Sequence, residues 1–393
     1  MFPRHCYLFE TRVDVVTFKE TLGYLDRFLA SQQPHIITTL NPEILLEAKK
    51  NKPYRDALNE ADLNVPDGTG LTWLLRMLGG RLEHPVTGAD MTLRLLLKAQ
   101  KHQLRVAVFH RLNGLSSKGE LVRAVKERYP ELAFFVISAS TEEASEQAVL
   151  ESLKRHQPDI ILVDFGAPYQ EQWLVQHKHA VPSLRVGMGI GGSLDYLTGR
   201  QKRAPRALRN IGLEWLWRLA RQPARLPRIW RAVAVFGKEA IKIVWQSKYR
   251  YRQNALGVIR RADGKVLVVS RASDPAHWQF PQGGISSGET SEEGVLRELQ
   301  EELGCATFTI EGKAAKTYTY NWPKGQIQSF RGQEQHIFFL AWHGSDAALH
   351  LEKRELSGYQ WINPQDIPAI VHPVRREVGE YIVTEMKRLQ FIT

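Results

Sequence analysis

Three glutamates are crowded into the segment from Pro281 to Cys305, PQGGISSGETSEEGVLRELQEELGC. If this segment is helical, Glu298, Glu301 and Glu302 stand at positions i, i+3 and i+4 and share one face. Carboxylates crowded in this way repel one another unless a cation lies among them. Hard oxygen ligands suit Mg²⁺, which commonly bridges to the phosphates of a substrate. The segment therefore predicts metal-dependent chemistry at a phosphate group.

The residues around these glutamates follow the spacing G-x5-E-x7-R-E-U-x-E-E-x-G-U. The fixed positions are Gly283, Glu289, Arg297, Glu298, Leu299, Glu301, Glu302, Gly304 and Cys305. Gly283 and Gly284 precede the helix and allow the backbone to approach a diphosphate closely. A solvated acidic helix is the alternative, but it does not explain the glycines at both ends or the single arginine. The pattern resembles that of the Nudix hydrolases, which implies metal-dependent cleavage of a nucleoside diphosphate linked to another moiety.

The sequence around this box is similar to the bacterial dinucleoside polyphosphate hydrolases and RNA pyrophosphohydrolases of the same superfamily. The matching pieces are YRQNALGVI, HWQFPQGGI, YNWPKGQ and RGQEQHIFFL. The resemblance implies that Mg²⁺ or Mn²⁺ is bound by four carboxylates, those of Glu298, Glu301, Glu302 and Glu355. One glutamate, with Glu298 and Glu301 as the candidates, acts as the base.

Other residues of this resemblance are expected to orient the carboxylates or to contact the substrate. Arg297 would orient the glutamates through charge-assisted hydrogen bonds. Tyr320, Gln333 and Gln335 would face the substrate, although any of the three can instead be structural. Gly283 and Gly284 complete the substrate-binding set.

The N-terminal half alternates apolar runs with amphipathic helical stretches. The runs predicted as buried strands are His35–Leu40, Leu104–His110, Leu132–Ser138, Asp159–Gly166 and Leu184–Ile190. The helical stretches between them are Pro42–Asn51, Ala89–His102, Gly119–Arg128 and Glu143–His156. This alternation predicts an α/β, Rossmann-like, mostly parallel sheet with helices on both faces. In such sheets, ligands bind beyond the carboxyl ends of the strands.

Polar residues stand at several of these strand ends. Thr39 and Asn41 precede a helix, where they can hold a phosphate or sugar or simply cap the helix. Asp67 lies in a glycine-flanked turn and is either a general base or a turn former. Gln170 opens a helix after a predicted strand. The G-x-G-x-x-G at residues 187–192 lacks the acidic strand end of a nicotinamide site, which leaves tight packing or diphosphate contact.

Together these stretches resemble the WecG/TagA/CpsF family of glycosyltransferases over residues 8–232. The matching pieces are TTLNPE, ADLNVPDGTG, VTGADM, DIILVDFGAPYQEQW and the long run from GGSLDYLTGR to ARLPR. The resemblance implies an inverting, metal-independent transfer from a UDP-sugar, often UDP-N-acetylmannosamine, to an undecaprenyl-diphosphate-linked saccharide. It implies that Asp67 is the general base and that Thr39, Asn41 and Gln170 line the site. Many relatives have a Gly-Gly turn where this chain has FHRLNG at 109–114, which leaves the donor sugar open.

One segment makes the protein basic. The chain carries a net charge of +11, and residues 200–252 hold 15 Lys and Arg against two acidic residues. A solvated helix face, nucleic-acid binding through stacked tryptophans, and contact with an anionic bilayer are the three interpretations. The family resemblance favours the bilayer and implies that Arg218, Arg225 and Arg228 reach the lipid or nucleotide diphosphate.

The length of 393 residues predicts two domains. We expect a glycosyltransferase domain over 1–245, in which 200–245 is basic and faces the membrane, and a Nudix domain over 246–393. The second has the α/β/α order, with strands predicted at 255–259, 266–270, 316–320, 336–342 and 359–362 and a helix from about Val374. Cys6 and Cys305 are the only cysteines, which predicts no disulfide framework and a reducing compartment. No secretory leader or membrane-spanning run is found, so we expect a cytoplasmic protein associated peripherally with the inner face of the membrane.

We therefore expect a bifunctional enzyme that uses a UDP-sugar donor, a polyprenyl-diphosphate-linked acceptor and a nucleoside polyphosphate at an anionic membrane surface. The Nudix substrate would be a dinucleoside polyphosphate or an RNA 5′ end. In one alternative, the Nudix domain senses a nucleotide and regulates the transferase without turnover. In another, the whole chain processes RNA 5′ ends. A homo-oligomer is compatible with the sequence.

Overall fold

The computed structural model describes residues 3–82, 84–139, 143–205, 208, 213–221, 226, 230–286, 288–305, 307–322, 327–353 and 355–392. The chain divides into two compact units. The first unit comprises Met1–Val244 with Gly325–Ser329, and the second comprises Trp245–Lys324 with Phe330–Thr393. Both cysteines are free thiols.

The first unit is built on a six-stranded parallel sheet. Its strands follow a short antiparallel pair, β1 (His5–Leu8) with β2 (Thr11–Asp14). The sheet strands are β3 (His35–Leu40), β4 (Leu63–Pro66), β5 (Arg105–Arg111), β6 (Ala133–Ala139), β7 (Ile160–Asp164) and β8 (Val186–Gly189). They lie in the order β4-β3-β8-β7-β5-β6, with each neighbouring pair parallel. The predicted parallel α/β sheet is confirmed.

Helices cover both faces of this sheet. They are α1 (Phe18–Ala30), α2 (Pro42–Ala48), α3 (Lys52–Glu60), α4 (Thr69–Met77), α5 (Gly88–Lys101), α6 (Lys118–Arg128), α7 (Glu143–His156), α8 (Tyr169–His177), α9 (Glu214–Arg221) and α10 (Phe236–Tyr249). Neighbouring residues of β3 point to opposite faces: Ile37 packs in the cluster that contains α1, α5 and α6, and Ile36 packs in the cluster that contains α7 and α8. Burial on both faces explains why these strands are continuous apolar runs.

The second unit has a mixed sheet between helices. Its strands are β9 (Tyr251–Arg260), β10 (Val266–Arg271), β11 (Asp274–Gln279), β12 (Gln282–Gly284), β13 (Phe308–Lys313), β14 (Tyr318–Asn321), β15 (Gly332–Trp342) and β16 (Leu356–Ile362). The helices are α11 (Ser291–Leu303), α12 (Ile367–Ile370) and α13 (Arg376–Arg388). Strands β9 and β15 run parallel at the centre. Val258 faces the cluster that contains α13, and Ile259 faces the cluster that contains α11. The predicted α/β/α arrangement is confirmed.

No helix within the described ranges is long and apolar enough to cross a membrane.

Candidate active sites

The acidic helix α11 is fixed at both ends by local hydrogen bonds. The hydroxyl of Thr290 accepts the backbone N–H of Glu293, and the Glu293 carboxylate accepts the backbone N–H of Thr290, which forms a capping box. The helix ends at Gly304, whose φ of 68° is left-handed. A Cβ atom there would lie 2.7 Å from the carbonyl oxygen of His350, so the position requires glycine. These caps fix where the helix begins and ends, and therefore which residues of the segment are helical.

Arg297 ties the carboxylates of the box together. Its Nε atom donates to Oε1 of Glu289 at 2.8 Å, and its Nη1 donates to Glu298 at 2.9 Å and to Glu301 at 3.1 Å. Nη2 donates to the carbonyl oxygen of Gly284 at 2.8 Å. The hydrogen bonds from Arg297 and from the backbone hold the pKa of Glu289 at about 2. Arg297 is therefore placed to orient the glutamates, as the box predicts.

The acidic cluster contains buried Glu302, half-buried Glu298 and exposed Glu355. Glu302 is only 6% exposed, and its Oε2 accepts the backbone N–H of Gln282 at 3.2 Å. Burial, together with the charges of Glu355 and Glu298, raises the pKa of Glu302 to about 8. Burial also raises the pKa of Glu298. A divalent cation would relieve this repulsion, so these three carboxylates fit a metal site.

Glu301 differs from its neighbours because its side chain is 62% exposed. One of its oxygens accepts Arg297, and the rest of the carboxylate faces solvent. The structure therefore places Glu302 and Glu298 in the inner part of the cluster and Glu301 and Glu355 at its exposed rim. In that position Glu301 is better suited to contact a water molecule or an ion at the cluster's edge than to lie at its centre.

The glycines ahead of α11 make room for side chains of the site. A Cβ atom at Gly283 would lie 1.8 Å from Cδ of Glu298, and one at Gly284 would lie 2.5 Å from Nη2 of Arg252. The sequence predicted that these glycines let the backbone approach a diphosphate. In the structure, Gly283 admits the Glu298 carboxylate itself.

The three predicted substrate contacts are not equivalent. The hydroxyl of Tyr320 donates to Oε1 of Gln333 and accepts Nη1 of Arg375 at 2.5 Å. Gln335 is fully buried, and its amide donates to side-chain oxygens of Asn254 and Gln282. Gln335 therefore joins β15 to β9 and β12 and does not face solvent.

Two arginines of this site, Arg271 and Arg375, were not identified from the sequence. Partial burial of the guanidinium and the charge of Arg375 lower the pKa of Arg271, while the charges of Glu302 and Glu355 act in the opposite direction. Arg271 therefore lies near both the acidic cluster and Arg375. The only signal in the sequence is that Arg271 directly follows the predicted strand 266–270.

In the first unit, Asp67 and Thr39 lie on either side of Gly88. Oδ2 of Asp67 accepts the backbone N–H of Gly88 at 3.1 Å. A Cβ atom at Gly88 would lie 3.0 Å from Oγ1 of Thr39, so this glycine permits the close approach. The parallel pairing of β3 with β4 brings the two residues to the same edge of the sheet. Asn41 caps α2, since its Oδ1 accepts the N–H of Ile44 at 3.0 Å.

Gln170 is buried and bonds to two loops. Its Oε1 accepts the backbone N–H of Gly166 at 3.0 Å and that of Gly191 at 3.1 Å. Its Nε2 donates to Oε1 of Glu171 at 2.6 Å. Because Gly166 follows β7 and Gly191 follows β8, this amide fixes the loops at two adjacent strand ends. The side chain positions those loops at the sheet edge where the sequence predicted that it lines the site.

Glu171, which the sequence did not single out, lies beneath this amide. Burial raises its pKa to about 7, although hydrogen bonds from Gln170 and from the hydroxyl of Tyr54, at 3.0 Å, act in the opposite direction.

Gly187 and Gly189, from the G-x-G-x-x-G stretch, lie in β8. Cβ atoms there would lie 2.7 Å from Ile36 and 2.6 Å from Nε2 of Gln170. Tight packing accounts for both glycines.

The loop after β5, which follows His110 and Arg111, is held by a buried polar network. Ser116 donates through its hydroxyl to Oδ1 of Asp195 at 2.6 Å, and its carbonyl oxygen lies 2.8 Å from Nε2 of His110. A Cβ atom at Gly114 would lie 2.5 Å from the His110 ring. His110 thus fills the space beneath this loop.

The basic segment exposes large apolar side chains. Among the described residues these are Trp215, Leu216, Leu226, Trp230, Val233, Val235, Ile241, Trp245 and Tyr249. Trp230 is 69% exposed. Of the arginines predicted to reach a diphosphate, Arg225 and Arg228 lie outside the described residues. Arg218 belongs to α9, but its side chain lies outside them too.

Comparisons with known proteins divide the chain at a similar point. A family model for the glycosyl transferase WecG/TagA/CpsF family matches residues 6–252, and a NUDIX domain model matches residues 250–382. An N-acetylglucosaminyldiphosphoundecaprenol N-acetyl-beta-D-mannosaminyltransferase of Bacillus subtilis (strain 168) is 29% identical over 228 residues, 58% of this chain and 86% of that protein. A protein of the same name from Bacillus spizizenii is 31% identical over 202 residues, 51% of this chain and 77% of that protein.

Solved structures similar to part of this chain include an E. coli dihydroneopterin triphosphate pyrophosphohydrolase, with 22% identity and a TM-score of 0.29. The match covers 34% of this chain and 97% of that chain. A C. elegans Ap4A hydrolase binary complex has 18% identity and a TM-score of 0.28, covering 34% of this chain and 98% of that chain.

Proposed function

The chain belongs to the glycosyl transferase WecG/TagA/CpsF family and continues into a NUDIX domain, and from this premise we propose that it is an enzyme with two separate activities. The first is transfer of an N-acetylmannosamine-type sugar from a UDP-sugar to an undecaprenyl-diphosphate-linked acceptor. Relatives named as N-acetylmannosaminyltransferases support it, since the match covers 86% of the Bacillus subtilis protein. The domains responsible are residues 1–245 and 246–393.

Asp67 is the residue assigned to proton transfer in the first activity. It stands at the carboxyl end of β4, where ligands bind in parallel sheets. The N–H of Gly88 holds one carboxylate oxygen and so fixes the direction of the side chain. Asp67 would take the proton of the acceptor hydroxyl as that oxygen attacks the anomeric carbon of the sugar and the bond from that carbon to UDP breaks, so that UDP leaves. Thr39 and Asn41 stand beside it to position the sugar and phosphates.

The second activity is hydrolysis of a nucleoside diphosphate-linked substrate, either a dinucleoside polyphosphate or an RNA 5′ end. The single observation that carries it is the cluster of Glu298, Glu302 and Glu355, whose mutual repulsion suits a divalent cation. Mg²⁺, when bound there, would neutralise charge on the diphosphate. Arg297 holds Glu298 and Glu301 in place, and one of these carboxylates would take a proton from the attacking water.

Cationic side chains near the cluster are suited to the phosphates of that substrate. Arg271 and Arg375 lie close to each other, and Arg375 donates to Tyr320. Guanidinium groups bind phosphate oxygens through paired hydrogen bonds. Tyr320 and Gln333 would then contact the substrate beside the arginines.

The first activity requires access to a lipid-linked acceptor, and the basic segment is suited to a membrane surface. Exposed side chains such as Trp215, Leu226 and Trp230 are interspersed with Lys and Arg. Aromatic and aliphatic side chains enter the interface while cations bind anionic headgroups, at about 1 kcal/mol per basic residue. We propose peripheral association with the cytoplasmic face of the membrane.

The experiment that tests both activities is ³¹P NMR of the purified full chain with Mg²⁺. Separate tubes would contain UDP-N-acetylmannosamine with and without a lipid-diphosphate acceptor analogue, diadenosine tetraphosphate, and a short triphosphorylated RNA. We expect UDP only when the acceptor is present, and cleavage of one polyphosphate in the absence of donor and acceptor. Conversion of the UDP-sugar to UMP and sugar phosphate without acceptor would overturn the proposal, because the donor would then be the hydrolase substrate.

A further inference from the structure

A second group of metal-binding side chains lies in the second unit, separate from the acidic cluster. Asp274 and His277 belong to β11, and His372 precedes the short 3-10 helix Pro373–Arg375. One ligand atom from each residue, a carboxylate oxygen and two imidazole nitrogens, lies within 4.8 Å of the others. The two histidines are 95 positions apart in the sequence, so the fold alone brings them together.

The two imidazole rings are held face to face. Their centroids are 4.1 Å apart and their planes differ by 9°. The backbone N–H of His372 donates to the carbonyl oxygen of Trp278 at 2.9 Å, which anchors the second histidine beside β11. Because rings and backbone are already in place, binding an ion here would order few side chains.

Each of the two rings offers one nitrogen to an ion. Nε2 of His277 is buried and has no hydrogen-bond partner among the residues that the structure describes. A buried polar atom without a partner is unfavourable, and a bound ion would supply the partner. Nδ1 of His372 accepts the N–H of Val374 at 3.3 Å, which leaves Nε2 as the other nitrogen of that ring.

The donor set selects the kind of ion. Two imidazoles and one carboxylate are typical ligands of Zn²⁺, Co²⁺ and Ni²⁺, whereas Mg²⁺ prefers oxygen ligands. The positive charges of Arg271 and Arg375 act on His277. These charges repel any cation, so the bonds from the ion to the two imidazoles and the carboxylate must outweigh that repulsion. We propose that Asp274, His277 and His372 form a binding site for a Zn²⁺-class transition-metal ion, distinct from the glutamate cluster.

Small movements would close the site. Tetrahedral Zn²⁺ with bonds of about 2.1 Å requires its ligand atoms to stand about 3.4 Å apart. Asp274 is exposed and can move toward the rings, which need only splay slightly. Three protein ligands leave a fourth position for water or a phosphate oxygen of a ligand. The ion would link β11 to the chain segment that carries Arg375, whose guanidinium bonds to Tyr320.

Cobalt binding tests the site without relying on activity. The full chain would carry Glu298→Gln and Glu302→Gln, which remove the acidic metal site, and Co²⁺ would be followed by visible absorption and equilibrium dialysis. We expect one Co²⁺ per chain, with the absorption of a four- or five-coordinate ion. His277→Ala and His372→Ala should each weaken binding at least tenfold, whereas His343→Ala, which removes a histidine elsewhere in the same unit, should not.

Two further variants keep the test decisive if an alanine variant misfolds. Asp274→Asn changes only an exposed side chain and should weaken Co²⁺ binding several-fold. His277→Cys should restore binding and add an intense near-ultraviolet thiolate band. The proposal is overturned if the glutamine background binds no Co²⁺, or if the Asp274 and histidine variants bind it as tightly as the background. Neither result bears on the proposed hydrolysis, which is measured with Mg²⁺ on the unmodified chain.

Discussion

Nδ1 of His110 lies 2.8 Å from Oδ2 of Asp164, and Nε2 of the same ring lies 2.8 Å from the carbonyl oxygen of Ser116. Both nitrogens thus face hydrogen-bond acceptors, which a doubly protonated imidazolium satisfies. Burial alone would lower the pKa of His110, but the hydrogen bond and charge of Asp164 outweigh it and raise the pKa. Burial raises the pKa of Asp164 as well, so His110 and Asp164 form a hydrogen-bonded, electrostatically coupled pair beneath the loop at 109–114.

Replacing His110 with alanine should destabilise the first unit in a pH-dependent way. Removing one partner of a buried ion pair costs about 3–5 kcal/mol. Because the folded pKa is raised, this contribution is complete below the unfolded pKa of about 6.5 and is lost as the pH rises through the folded value. Urea unfolding at pH 6 and pH 9 measures it. The exposed His179→Ala variant is the control, and an equal destabilisation at both pH values would contradict the charged pair.

The two proposed activities should be lost independently. Asp67→Asn is expected to reduce sugar transfer by about 10²–10⁴-fold, because the general base is removed, and to leave hydrolysis unchanged. Glu298→Gln should reduce hydrolysis by a similar factor and leave transfer unchanged. Radiolabelled sugar transfer and phosphate release measure the two. Asp56→Asn, at an exposed site, is the control; loss of both activities in either variant would refute separate sites.

A methyl group at Gly283 should displace the Glu298 carboxylate. The added Cβ would lie 1.8 Å from Cδ of Glu298, so the carboxylate must leave its position beside the backbone. We expect Gly283→Ala to lower kcat/KM for hydrolysis by at least about 10²-fold, as ångström-scale displacements of catalytic groups do. Gly358→Ala is the matched control, since its Cβ would meet only Oγ of Ser270 at 3.4 Å. Equal kinetics for the two variants would show that the carboxylate position is unimportant.

Gln170→Ala should lower stability as well as transfer. The substitution leaves the N–H groups of Gly166 and Gly191 without their acceptor and removes a donor from Glu171. We expect the free energy of unfolding to fall by about 2–3 kcal/mol, measured by chemical denaturation. A residue that only contacts ligand would lose activity at unchanged stability. That outcome would show that Gln170 contacts the ligand without holding the loops.

Trp230→Ala should weaken binding to anionic vesicles. Loss of a large aromatic side chain from the interface costs about 1.5–3 kcal/mol, or roughly ten- to a hundredfold in partitioning. Co-sedimentation with vesicles that contain anionic lipid measures this, with the exposed Tyr7→Ala as control. Unchanged binding, or a preference for RNA at the same salt concentration, would count against membrane association.

The long elements could be predicted because their signals are local. Strand β3 was placed at His35–Leu40, as observed, since both of its faces are buried and the run contains β-branched residues and leucine after His35. Strand β4, with four residues, was missed. Its buried Asn64 looks polar in the sequence but is satisfied by hydrogen bonds to the backbone of Arg12 and Leu58. Only the folded neighbours supply those acceptors.

The candidate sites show the same difference between residues placed by local spacing and residues placed by distant contacts. The glutamates of α11 were found because a single helix sets their spacing. The roles of Gln170 and Gln335 could not be predicted in the same way. A glutamine that contacts a ligand and a glutamine that holds two loops together look alike in a sequence. His277 and His372 come together only through the pairing of distant segments.

Because α11 is capped at both ends, the hydrolase should be able to lose its metal without losing this helix. Thr290, Glu293 and Gly304 hold the helix at its ends, and Arg297 supplies a permanent counter-charge among the carboxylates. The helix therefore has a complete set of local bonds without an ion. Removal of divalent metal by a chelator should thus silence hydrolysis while leaving the unit folded, and restoring the ion should return activity without a refolding delay. Metal supply then acts on this enzyme as a reversible control over catalysis and leaves the amount of folded protein unchanged.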